Sequence, residues 1–171
     1  MSLLKRGDFM KGAILQKGEI FYTRLSRVFS AINNAQENYN WLISYAECYP
    51  DSLEMQKLFE NAYCWMSGES LSSMIEKEDF QWIWGALSGF KKDIPLSEIL
   101  DNDLPDPEYD GYWANPVSTQ HPLASIEIVP MDSSLVVVIS DNDKIIENFR
   151  MAMPLSEDLE TYNNSLPRNR E

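Results

Sequence analysis

Histidine, cysteine and positive charge are all scarce in this chain. Its 171 residues hold one His, two Cys and 14 Lys plus Arg against 27 Asp plus Glu, for a formal net charge of −13. Each scarcity removes a class of function. An acidic surface repels phosphate backbones and anionic headgroups, so neither nucleic acid nor a membrane is expected as a partner. Cys48 and Cys64 form no paired-Cys zinc pattern and sit among aromatic residues in strand-like segments, which points to buried free thiols. A glycine-rich phosphate loop, a Gly-x-Ser-x-Gly elbow and a His-Glu-x-x-His helix are missing as well. No cofactor and no metal site is expected. Long apolar runs are also lacking. The opening residues, Met1 to Phe9, carry two adjacent leucines followed by charge, short of what a signal peptide or a membrane span needs, and a cytoplasmic location is the expectation. Without an export signal the sequon Asn163-Asn164-Ser165 reads as accidental.

What is present is a core. The 44% hydrophobic content, with five Trp, eight Tyr and seven Phe, is enough to fold a single domain over residues 1–171 in spite of the charge. Residues 1–9 read as a loose N-terminal extension and residues 156–171 as a frayed tail.

Periodicity predicts the elements between them. A short strand is expected at Ala13 to Leu15. From Glu19, the residues Phe21, Leu25, Val28, Phe29 and Ile32 recur at helical spacing. Tyr39 to Tyr49 alternates Trp41, Ile43 and Tyr45 as a strand that Pro50 ends. Asp51 offers a cap for a helix through Ala62, a brief strand follows at Tyr63 to Met66, and a helix at Ser70 to Lys77. Phe80 to Phe90 is bulky and almost uncharged, as in a central strand buried on both faces, where Gly85 and Gly89 admit a close neighbour. Lys92 to Pro122 reads as a long loop with one helical turn at Pro95 to Leu100. Ala124 to Pro130 and Ser134 to Ser140 form a hairpin, and Asp141 caps a last helix that Pro154 stops. The fold class is α+β: an antiparallel or mixed sheet covered on one face by helices, with a C-terminal β-hairpin followed by a helix.

The most conspicuous chemical feature lies in the loop. Asp93, Glu98, Asp101, Asp103, Asp106, Glu108 and Asp110 occur without one Lys or Arg among them, and Tyr109, Tyr112 and Trp113 are interleaved or follow at once. Pro105 and Pro107 break the carboxylate spacing a calcium loop needs. A bare charge run is usually a solvated surface, but aromatic anchors beside carboxylates also suit a basic protein partner: the aromatics supply contact energy and the carboxylates steer. The expected contact residues are Asp101, Asp103, Asp106, Glu108, Tyr109, Asp110, Tyr112 and Trp113. Trp82 and Trp84, in the most apolar stretch, read as core rather than as a carbohydrate platform. His121 is the one candidate proton carrier, and it would need a carboxylate such as Asp110 or Asp132 folded beside it.

Three segments together, Tyr39-Asn-Trp-Leu-Ile, Phe80 to Phe90 and Ile126 to Ser140, resemble small uncharacterised bacterial proteins of Bacillus-like organisms and, more distantly, immunity proteins that neutralise bacterial toxins. The resemblance implies a cytoplasmic binding protein and carries over no catalytic residue. Three functions follow as expectations. The first is an immunity-like protein that blocks a basic toxin domain through the loop from Asp101 to Trp113. The second is a small hydrolase or transferase using His121. The third is a structural subunit of a homodimer.

Overall fold

The structure, a computed structural model, describes residues 10–167. The extension expected over residues 1–9 and the last four residues of the tail lie outside them.

The described residues form one seven-stranded antiparallel sheet with six α-helices, an α+β fold. Its strands are β1 (Lys11–Leu15), β2 (Tyr39–Cys48), β3 (Tyr63–Ser67), β4 (Trp82–Lys91), β5 (Ile126–Met131), β6 (Leu135–Ser140) and β7 (Glu157–Asp158). They lie in the order β3-β2-β4-β5-β6-β1-β7, every pair antiparallel. The helices are α1 (Leu25–Ala31), α2 (Leu53–Phe59), α3 (Gly68–Lys77), α4 (Leu96–Ile99), α5 (Asp143–Ala152) and α6 (Leu159–Ser165), with 3₁₀ turns at Ala35–Asn38 and Asp110–Trp113.

Strand β6 shows why the C-terminal hairpin is legible in the sequence. Val136 and Val138 belong to the core on one face of the sheet, and Val137 and Ile139 to the core on the other, so the strand is a continuous apolar run even though its neighbours are antiparallel. The turn between β5 and β6 places both Asp132 and Ser133 at positive φ, 51° and 56°. Such a turn matches the twist of its strands. In β4, a side chain at Gly89 would come within 2.5 Å of Ile126 and 3.1 Å of the Trp41 ring, so this glycine serves the close approach of neighbours on both sides.

One face of the sheet carries α1, α3 and α5, whose Leu25, Val28, Leu71, Ile75, Ile146 and Phe149 meet Trp41, Ile43, Leu87, Ile128 and Val138. The other face is not bare. There Leu159 and Tyr162 of α6 cover Ile14, Val137 and Ile139, and the connection between β4 and β5 covers Leu42 and Phe90.

Several local expectations are corrected. The first helix begins at Leu25 rather than Glu19. Thr23 donates its hydroxyl to the Trp82 carbonyl at 2.6 Å and Arg24 bridges Gln81, which holds this stretch extended against the start of β4. Phe21 is consequently outside the core, 40% exposed, with the Arg24 guanidinium 3.9 Å above its ring. Ser52, not Asp51, caps α2, and Asn142, not Asp141, caps α5. The tail is not frayed from Ser156. Residues 157–158 pair with β1, Asp158 caps α6 by accepting from Thr161 N, and Leu159 is fully buried, because the exposed side of β1 and β6 needs an apolar cover.

Candidate functional site

The connection from β4 to β5 is the part of the chain with least regular structure and the most buried polar chemistry. Pro105 and Pro107 hold it extended, and the Pro105 carbonyl accepts from Ser44 Oγ on β2 at 2.6 Å. Asp106 then turns the chain: its backbone N–H donates to Gln120 Oε1 and its carboxylate accepts from Glu108 N, each at 2.9 Å. The 3₁₀ turn follows, with the Tyr109 ring folded over Gly111, where a side chain would lie 2.2 Å from the ring. Tyr109 and Tyr112 pack edge to face with centroids 5.3 Å apart.

Beneath this turn lies Glu127, a fully buried carboxylate in the middle of β5. It accepts from Gln120 N at 2.6 Å, from Ser88 Oγ at 2.8 Å, from Tyr112 at 3.0 Å and from His121 N at 3.1 Å. Four donors from three places on the chain converge on one side chain, which is how an irregular loop is fixed to a sheet. Burial pushes the Glu127 pKa up, and the hydrogen bonds from Gln120, His121, Ser88 and Tyr112 pull against that. Burial likewise raises the Tyr112 hydroxyl well above its ordinary range, with the neighbouring Glu127 charge adding to it.

His121 belongs to the same network. It is 1% exposed, its ring edge-on to Phe90, with Nε2 2.9 Å from the Ile99 carbonyl and Nδ1 accepting from Leu123 N at 3.1 Å. This pattern fixes a neutral imidazole protonated on Nε2, and burial lowers its pKa. Neither Asp110 nor Asp132 is among its hydrogen-bond partners.

The expected contact residues therefore separate into two sets. Asp101, Asp103, Glu108 and Asp110 are exposed, and Tyr109 is 42% exposed. The ion pairs among the described residues, Lys11–Asp143, Arg27–Glu19, Lys92–Glu69 and Lys144–Glu147, leave all four of these carboxylates without a cation. Tyr112 is the correction. It is 1% exposed, spent on Glu127, and its carbonyl accepts from Asn163 of α6. Asp106 is half-buried and shapes the turn, and Trp113 is half-buried against Tyr162.

Glu127, Ser88 and Gln120 were not legible as a site. The signal was a lone carboxylate in an otherwise apolar strand, where an unpaired charge is too costly to persist and four donors had to be found for it. Among the described residues no group of three His, Cys, Asp or Glu side chains is placed to hold a metal ion. Cys48 and Cys64 are free thiols, each pushed up to about 12 by burial.

No curated protein and no solved structure matches the chain. A profile described as a protein of unknown function, DUF2691, matches residues 10–103, from the start of β1 past α4 into the acidic loop. That is more than half of the chain, which belongs to the DUF2691 family.

Proposed function

We propose that this chain is a non-catalytic binding protein that works in the cytoplasm of a bacterium, and that its acidic loop engages a basic protein partner. The observation that carries the reading is the division of the loop into two sides. The inner side is anchored by Glu127, while the outer side presents Asp101, Asp103, Glu108, Asp110 and the Tyr109 ring, and among the described residues no cation pairs with these carboxylates. Uncompensated carboxylates on a fixed support steer a cationic surface and lose little entropy on docking. The resemblance to immunity proteins suggests a toxin domain as that partner. Engagement of both His121 ring nitrogens by backbone groups favours binding over proton-transfer chemistry.

The test is capture of the partner from the native host, followed by association and dissociation rates across a salt series. Changing Asp101, Asp103 and Asp110 to Asn and Glu108 to Gln together should slow association and flatten its salt dependence, with Asp106 left intact because it shapes the turn. Tyr109→Ala should mainly speed dissociation. Wild-type rates and salt slope in the four-site variant would sink the proposal.

A further inference from the structure

The two edges of the sheet are finished in different ways. At one edge β7 is two residues long and both are acidic, Glu157 and Asp158, a short charged strand of the kind that discourages edge pairing. At the other edge β3 runs five residues, Tyr63-Cys-Trp-Met-Ser67, with no charge and no proline. Its inner side pairs with β2 from Ser44 to Asn40, and among the described residues no strand pairs with its outer side.

Beside this open edge is a groove of about 550 Å³ between α2, β3 and α3. Met55, Leu58, Met66 and Met74 line it, thioether and aliphatic side chains that adapt to an incoming apolar surface. Glu54, Glu69 and Glu78 stand in the groove beside Lys77, with Glu69 also paired to Lys92 at 2.7 Å and Glu78 accepting from the Asp51 and Ser52 amides. On the opposite face of the same strand, Tyr63 packs against the Leu42, Phe90 and Ile99 core, as do Leu96 and Leu104 of the β4–β5 connection, and Trp65 packs there while also bordering the groove. The open edge thus has carboxylates on its helical side and shares a core with the acidic β4–β5 connection on the other.

We propose that β3 accepts an extended, basic segment of a partner protein as an eighth strand of the sheet. Main-chain hydrogen bonds to the free edge would supply affinity, the methionine groove would take alternate apolar side chains, and the carboxylates would select lysine or arginine at the others. A second copy of this chain fits less well, since pairing β3 with itself would bring together two copies of the same acidic rim on chains of net charge −13. This inference rests on the binding reading above and adds the mode of engagement.

The experiment uses the full chain and a capped seven-residue peptide of alternating lysine and valine, at millimolar concentration, with amide hydrogen exchange resolved by residue. The peptide should slow exchange within residues 63–67 by ~5-fold or more, as expected for amides that gain strand partners. The same peptide N-methylated along one backbone edge should lose that protection, and an alternating glutamate–valine peptide should give none. Met66→Lys, which places a positive charge in the groove, should weaken the effect while a cooperative melt shows that the fold is kept. Protection confined to residues 101–113, or equal protection by the N-methylated peptide, would overturn strand addition and leave the acidic loop as the site. No response at either segment would overturn both readings. Sedimentation as a dimer with residues 63–67 already protected would assign the edge to a second copy and overturn the proposal.

Discussion

The two faces of the sheet are closed by different chemistry. On the helical face, α1, α3 and α5 bury a continuous apolar layer, and the backbone groups of the covering elements are satisfied within the helices themselves. On the other face, much of the cover is the irregular connection from Lys92 to Ser125, whose backbone must find partners one by one. Glu127, Ser44 and Gln120 supply them. A loop can thus be as firmly placed as a helix when a buried side chain does for it what helical hydrogen bonds do elsewhere. This anchoring also leaves the outer side of that loop free to carry charge.

Both faces of the sheet share strand β6. Val137→Asp puts an unpaired charge at a fully buried position of β6. The penalty, on the order of several kcal/mol, is comparable with the whole stability of a domain, and no cooperative thermal transition should remain. A variant melting at the wild-type temperature would contradict the burial of that strand.

Glu127→Ala strikes only the loop face. It strands the N–H groups of Gln120 and His121 and the hydroxyls of Ser88 and Tyr112, and should cost about 3–5 kcal/mol in urea unfolding. Glu127→Gln sharpens this through pH. Because burial raises the folded-state pKa above the unfolded one, folding favours the protonated acid. That contribution is complete below the ordinary glutamate value of 4.5 and is lost as pH rises through the folded pKa. The advantage of wild type over the Gln variant should therefore be greatest below pH 4.5 and shrink above it. An advantage that grows with pH would mean that the four donors outweigh burial.

Tyr112→Phe removes one of the four donors and keeps the ring, so a loss of about 1–2 kcal/mol is expected, with faster exchange at the Gln120 and His121 amides. The smallest effect belongs to the outer side of the same loop. Neutralising Asp101, Asp103, Glu108 and Asp110 together should change stability by no more than about 0.5 kcal/mol, because exposed like charges contribute little and repel one another. A larger loss would show that these carboxylates hold the fold rather than face a partner.

Much of the fold was legible because periodicity reports burial directly. The hairpin from Ile126 to Ser140 and the strand at Trp82 carry apolar residues wherever the sheet is covered, and no other arrangement hides them. The α3 and α5 stripes were legible for the same reason. The acidic loop was visible as a composition, yet composition cannot tell which of its aromatics point inward: Tyr109 and Tyr112 look alike in sequence, and one is exposed while the other anchors the loop.

The sequence by itself determined the apolar strands, the helices with a single clean stripe and the negative surface, since each depends on residues near one another in the chain. Tertiary structure decided the rest. The late start of α1 depends on Thr23 meeting Trp82, the ordered tail on β1 and β6 needing cover, and the loop's shape on donors from Ser88 to His121 meeting one carboxylate. The open edge at β3 follows from strand order alone. In each case the decisive partner lies far away along the chain, where local pattern carries no information and only the closed sheet brings the groups together.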